Sequence, residues 1–129
     1  METYYVNPMA KPRMTRKDKW DPSPRAQRYF AWANHVSLMN IKLPLEGANV
    51  IFGIPVFPSW SEKKKMAHYW QKHERTPDIS NLVKALEDAL YKDDSAVWHY
   101  GQLAKIWAPK GFIRIWTSPV ELRLEGLDF

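Results

Sequence analysis

The sequence predicts a small α/β (α+β) domain in which a mixed β-sheet of about four strands packs with about three helices. Three observations support this. Segments rich in β-branched and aromatic residues are interspersed with segments of helical period, in the order strand, helix, strand, helix, helix, strand, strand. At 129 residues the chain is long enough for one core and too short for two ordinary domains. Hydrophobic residues make up 45% of it and aromatics 14%, which is core material enough to exclude widespread disorder.

Glu2 to Val6 reads as a first strand by its Thr, Tyr and Val content. Residues 8–24 carry four prolines and too little periodicity for a helix, so they read as a loop or extended basic arm. Ser23-Pro24 then starts a helix as N-cap and first-turn proline. From Arg25 to about Asn40, the residues Tyr29, Trp32, Ala33, Val36 and Met39 form its inward stripe.

Asn49 to Phe57 is the second strand, with Pro55 suggesting a sheet edge or a bulge. Ser59 and Glu62 have capping-box spacing and open a helix through Met66, Ala67 and Trp70. Thr76 or Asp78 caps the next helix, which runs to about Leu90 with Leu82, Ala85, Leu86, Ala89 and Leu90 inward. Val97 to Trp107 and Phe112 to Trp116 read as two strands joined in a hairpin through Pro109-Lys110-Gly111. Trp32, Trp70, Trp98, Trp107 and Trp116 are expected in packed positions, and Trp20 exposed in the arm.

The longest near-apolar run, Val50 to Phe57, falls far short of the roughly 20 residues that cross a bilayer, so no membrane span is expected. The N-terminus has no secretory pattern. The absence of cysteine excludes disulfides and thiolate metal sites, and cytoplasmic residence is the expectation. The four histidines show no paired metal-ligand spacing.

Net charge is +5, unevenly placed: residues 1–75 carry +7 and residues 76–129 carry −2. Cations that hold phosphates, followed by carboxylates that hold a divalent metal, suit an enzyme acting on a polyanion. Candidate phosphate contacts are Lys11, Arg13, Arg16, Lys17 and Lys19 in the arm, and Arg25 and Arg28 on the helix after it. Lys63, Lys64, Lys65, Lys72 and Arg75 complete the set. Each of these cations alone also reads as ordinary solvated surface.

Residues 76–97, TPDISNLVKALEDALYKDDSAV, place Asp78 before a helix, Lys84 within it and Asp93-Asp94 beyond its end. Magnesium prefers oxygen ligands, commonly one or two carboxylates with waters. A helix from Ile79 to Leu90 is roughly 18 Å long, and Tyr91 to Asp94 can return about 13 Å. Asp78 and Asp94 can therefore share an ion if the chain reverses sharply. The same residues also have structural readings. Asp78 suits a helix cap, Asp93-Asp94-Ser95 a polar turn, and Lys84 a pair with Asp88 at i+4.

This stretch resembles the RusA family of Holliday junction resolvases found in bacteria and their phages. The family pattern runs Pro-Asp-x-Asp-Asn-Leu, then a lysine, Asp-Ala-Leu and Asp-Asp-Ser-x-Val. The chain supplies Pro77-Asp78-Ile79-Ser80-Asn81-Leu82, Lys84, Asp88-Ala89-Leu90 and Asp93-Asp94-Ser95-Ala96-Val97. Pro8 to Arg13, Lys105 to Trp107 and Ile113 to Ile115 are also similar to the family.

The resemblance implies a homodimeric, magnesium-dependent (Mg2+) endonuclease that cuts four-way DNA junctions symmetrically, with no nucleotide cofactor. It implies metal binding by Asp78 and Asp94 and a phosphate-stabilising role for Lys84. Asp93 is the neighbouring assignment should the register shift by one. Ser80 stands where the family usually has a second metal-binding aspartate, which implies weaker metal binding and cleavage unless another residue compensates. Glu87 and Asp88 are candidates, neither well placed by spacing. The alternative is a non-catalytic branched-DNA-binding protein that retains the fold; a nuclease of flaps or forks is a further one.

Overall fold

A computed structural model describes residues 1–128. Its central strand is β2 (Ala48–Pro55), the most apolar segment of the chain, paired along both edges. The sheet order is β1 (Glu2–Tyr4), β4 (Phe112–Thr117), β2, β3 (Tyr100–Ala108). β4 runs antiparallel to both β1 and β2, and β3 runs parallel to β2, so the sheet is mixed as expected.

The expected hairpin between the last two strands does not form, because β2 lies between them. Residues 109–111 instead pass the end of β2, where Ala108 pairs with Pro55 and Phe112 with Gly53. Two strand spacings are roughly 10 Å, within reach of four extended residue steps. Pro55 accordingly marks the end of a central strand, while the register irregularity lies between Ala48 and Val50. Gly53 is required by close approach: a Cβ there would sit 2.2 Å from the Phe112 ring.

Helices α1 (Pro24–Leu38) and α3 (Ile79–Leu90) pack against each other on one face of the sheet. Ser23 caps α1 by accepting from Ala26 N at 3.2 Å. Its buried stripe of Ala26, Tyr29, Trp32 and Val36 meets Leu82, Val83, Ala85 and Leu86 of α3, with Val50, Phe52, Ile113 and Ile115 beneath. Apolar side chains at three- and four-residue spacing thus cover alternate residues of the strands, and their burial from water holds the layers together.

Helix α2 (Glu62–His68) departs from expectation. Its cap is Ser61 rather than Ser59, accepting from Lys64 N at 3.2 Å, and none of its residues is buried. Met66 and Ala67 face solvent, and Trp70 is 61% exposed with φ +68°. The helix stops at His68 because the chain turns there to cover the outer edge of β3. Trp70 N donates to Trp107 O, Trp107 N to Gln71 O and His73 N to Lys105 O, at 2.8–3.1 Å. The covered strand edge is protected from unwanted pairing.

Trp98 is likewise exposed rather than packed, Trp116 is half-buried, and Trp32 and Trp107 are buried. The third strand starts at Tyr100, not Val97, because Asp94–Ala96 forms a 3-10 turn first. Among the described residues no helix is long and apolar enough to cross a membrane.

Candidate active site

The arm of residues 8–24 is held in place along its length. Trp32 Nε1 donates to Asn7 O at 2.8 Å, and residues Arg16–Lys19 form a 3-10 turn where only a loop was expected. Its buried Asp18 accepts from Thr15 N at 2.9 Å, Thr15 Oγ1 at 3.2 Å and Ser23 N at 3.0 Å. The Ser23 and Thr15 amides hold the Asp18 carboxyl below its ordinary pKa. Arg16, Lys17, Lys19 and Trp20 are left exposed around this knot, as the sequence predicts for Trp20.

On the opposite side of the site, Lys105 of β3 anchors the turn that leads into α3. Its ammonium donates to Arg75 O at 2.5 Å and to Pro77 O at 2.8 Å, across a cis Thr76-Pro77 bond. Asp78 follows as N-cap of α3, and its carboxylate makes no capping hydrogen bond. Of the two caps the sequence allowed, Asp78 rather than Thr76 holds the position. It borders a surface cleft of about 470 Å³ whose lining includes Lys11, Arg13, Arg25, Arg28 and Asn81. A carboxylate free of local partners, beside four cations from two other segments, is disposed toward a ligand rather than toward its own helix.

Further along α3, Lys84 and Asp88 lie on the same face as Asn81, three and seven residues on. The Lys84 ammonium donates to Asp94 Oδ2, and lies 3.3 Å from Asp88 Oδ1. The other Asp88 oxygen accepts from Lys11 Nζ at 2.5 Å. Two lysines and two carboxylates thus form one chain of ion pairs joining the arm, α3 and the 3-10 turn. Asp94 and Asp88 hold the Lys84 pKa above its ordinary value, and the Lys84 hydrogen bond holds Asp94 below its own.

Asp93 is engaged differently: its Oδ1 accepts from Ser95 N at 3.0 Å and Ser95 Oγ at 2.6 Å, which lowers its pKa. It shapes the turn that aims Asp94 at Lys84. Glu87 accepts from the Tyr100 hydroxyl at 2.6 Å, and burial and that contact raise the Tyr100 pKa. Burial also raises Tyr29 to about 12, and its hydroxyl donates to Ala85 O at 3.2 Å.

The return from the end of α3 therefore reaches Lys84, six residues or about 9 Å of rise beyond Asp78. The structure brings together Lys84, Asp94, Asp88 and Lys11, and separately places Asp78 and Asn81 at the cleft with Arg13, Arg25 and Arg28. Ser80 is exposed in the first turn of α3 and is not among the residues lining the cleft.

The other candidate cations lie apart from the cleft lining. Lys64 and Arg75 lie over the Trp60 ring at 4.5 and 5.6 Å, Lys65 pairs with Glu62 and Lys72 with Glu74. Lys63 is exposed on α2 and Lys17 lies 3.9 Å from Asp21. Among the described residues no group of three or more acidic or histidine side chains converges as a metal cage. Magnesium takes oxygen from one or two carboxylates and keeps several waters; the Asp78 carboxylate is uncommitted and suits such an ion, whereas Asp94 is engaged by Lys84.

The sequence marked Lys105 only as part of a family-like segment, with no role at the site, and underrated Asp88. A lysine on a strand carries no local signal that it will reach two backbone carbonyls about thirty residues away. Replacing Lys105 with alanine removes both charge-assisted bonds, and amide exchange over residues 76–82 is expected to quicken by about tenfold or more. Hydrogen–deuterium exchange checks this; unchanged protection means the turn is held by its other contacts.

A mixed sheet with two helices on one face thus carries a cationic cleft, with acidic residues along the helix beside it. Residues 4–115 match the family model described as Endodeoxyribonuclease RusA, and the chain belongs to that family of nucleases. Comparisons with curated proteins and with solved structures give no match.

Proposed function

We propose that this chain is a structure-specific endodeoxyribonuclease that resolves four-way DNA junctions by magnesium-dependent, symmetric cleavage, acting as a homodimer in the cytoplasm. The observation that carries the reading is the free Asp78 carboxylate at a cleft lined by Lys11, Arg13, Arg25 and Arg28, on the helix that also presents Lys84. A two-fold dimer sets equivalent sites on two strands of like polarity.

Asp78 and Asp94, which the resting chain keeps in separate clusters, are the residues that would hold magnesium once Lys84 releases Asp94. When bound, the ion supplies an activated water and neutralises charge building on the scissile phosphate. The four cleft cations draw in the phosphate backbone and fix its register, which carries no sequence information. Lys84, kept charged by its two carboxylates, turns its ammonium toward the phosphate as charge develops there. Trp20, 85% exposed in the arm, offers a ring on which an unpaired base at the crossover stacks.

A labelled four-way junction incubated with magnesium should yield paired symmetric nicks, and none in EDTA. Tight junction binding without metal-stimulated nicking would instead establish the non-catalytic alternative, which Ser80 favours by offering a neutral oxygen where the family has a carboxylate. Ser80→Asp adds that charge at an exposed first-turn position, where the helix dipole also favours it. The magnesium concentration giving half-maximal cleavage should fall by about tenfold. An unchanged requirement shows that the site is completed elsewhere.

A further inference from the structure

Residues 118–128 leave the end of β4 and lie beyond the residues that match the nuclease family. Val120, Leu122 and Leu124 alternate there with Glu121, Arg123 and Glu125, the period-two pattern of a strand with one apolar face. That face is largely uncovered in the single chain: Val120 is half-buried, and Leu122 and Leu124 are 52% and 59% exposed. Among the described residues, the backbone beyond Ser118 makes one hydrogen bond, Leu127 N to Leu124 O at 3.2 Å. Strand pattern, unpaired amides and exposed leucines together describe a segment that lacks its partner.

The face of the sheet turned away from α1 and α3 holds a complementary surface. A cleft of about 320 Å³ there is lined by Tyr5, Ile51, Ile106 and Phe112, with the cations Lys110 and Arg114 at its side. Lys110 lies 4.9 Å from the Tyr5 ring centre, and Arg114 donates to Thr3 Oγ1 at 2.9 Å. Neither cation has a carboxylate partner among the described residues. Residues 119–125 carry two acids and one arginine, so the leucines on one face match the cleft's apolar floor and the net negative charge of the segment matches the two cations at its side.

We propose that the occupant of this cleft is residues 119–125 of a second copy of the chain, the two copies exchanging these segments reciprocally. The exchange deepens the homodimer reading above and rests on it. The segment departs from Thr117, about 17 Å along β4 from Phe112, and in the single chain it does not turn back over its own cleft. Reciprocal exchange makes two copies of one cleft contact around a two-fold axis, which doubles the apolar area covered for a single association.

Sedimentation of the full chain over a range of concentrations tests this. The wild type should dimerise, and Leu122→Ser with Leu124→Ser should weaken the dimer by about tenfold or more, while unfolding at concentrations where both chains are monomeric is unchanged, since both positions are exposed in the single chain. Lys110→Glu with Arg114→Glu, and separately Glu121→Lys with Glu125→Lys, should each give monomers whose mixture restores a dimer, because every cleft then meets a segment of opposite charge. A chain that stays monomeric, a serine variant within about twofold of wild type, or charge-swapped variants that fail to pair on mixing overturns the proposal. Junction nicking is scored separately, so the nuclease reading stands or falls on its own assay.

Discussion

Asp78→Asn should reduce magnesium-dependent junction cleavage by about a thousandfold while leaving the fold and junction binding in place. The structure makes this substitution unusually clean. Asp78 occupies the cap position of α3 without using its carboxylate as a cap, so no hydrogen bond of the helix is lost. Asparagine is itself a favoured cap residue, and unfolding should shift little. Removing one negative charge beside Lys11, Arg13, Arg25 and Arg28 leaves a more positive cleft, so junction affinity in EDTA should hold or rise. Single-turnover cleavage and a gel-shift titration read the two effects apart. Cleavage within about threefold of wild type would remove Asp78 from the metal site, whereas a parallel loss of binding would reassign it to shaping the cleft.

The split between what the sequence disclosed and what it hid follows the range of each interaction. Helix α3 was legible as a helix ending near Leu90, because its buried Leu82, Ala85 and Leu86 repeat at helical spacing, while its start stayed open between Thr76 and Asp78. The strands were legible as strands, since alternation and β-branched content are local. Their order was not: nothing near Pro109-Lys110-Gly111 tells that β2, fifty residues earlier, slots between β3 and β4. Trp70 illustrates the same limit. It sits four residues from Met66, the spacing of a helix face, yet the edge of β3 recruits the chain before the helix can continue.

In the candidate site, motif spacing marked Asp78, Lys84 and Asp94, all of which lie on or beside one helix. Lys11 and Asp88 are 77 residues apart, and their contact depends on the arm being pinned by Trp32 and Asp18, which no local pattern encodes. Of the candidate cations in the arm and α1, Lys11, Arg13, Arg25 and Arg28 share the cleft, while Arg16, Lys17 and Lys19 lie outside its lining. On α2 and after it, Lys64 and Arg75 are drawn to the ring of Trp60, and Lys65 and Lys72 to neighbouring carboxylates. Cation counting has no access to that difference, because the ring that recruits them is placed by tertiary packing against Trp107.

Lys84→Gln should move metal binding and turnover in opposite directions. Asp94 is depressed by its hydrogen bond from Lys84, so that contribution is present above its ordinary value of 3.8 and is lost as pH falls through the lower folded value. Lys84 is raised by Asp94 and then Asp88, so its share persists below 10.5 and is lost as pH climbs through the higher folded value. Across neutral pH the ammonium therefore occupies the Asp94 oxygen that an arriving magnesium would take. Glutamine relieves that competition, and half-saturation by metal, measured by calorimetry, should need severalfold less magnesium. At saturating metal the cleavage step should still slow by about a hundredfold, because a neutral amide cannot stabilise charge on the phosphate. A purely structural lysine gives another pattern: its loss loosens the Asp88–Lys84–Asp94 chain, and metal affinity and rate fall together. Opposed shifts in one variant are thus the signature of a lysine that guards the ligand in the resting enzyme and serves the phosphate in the working one.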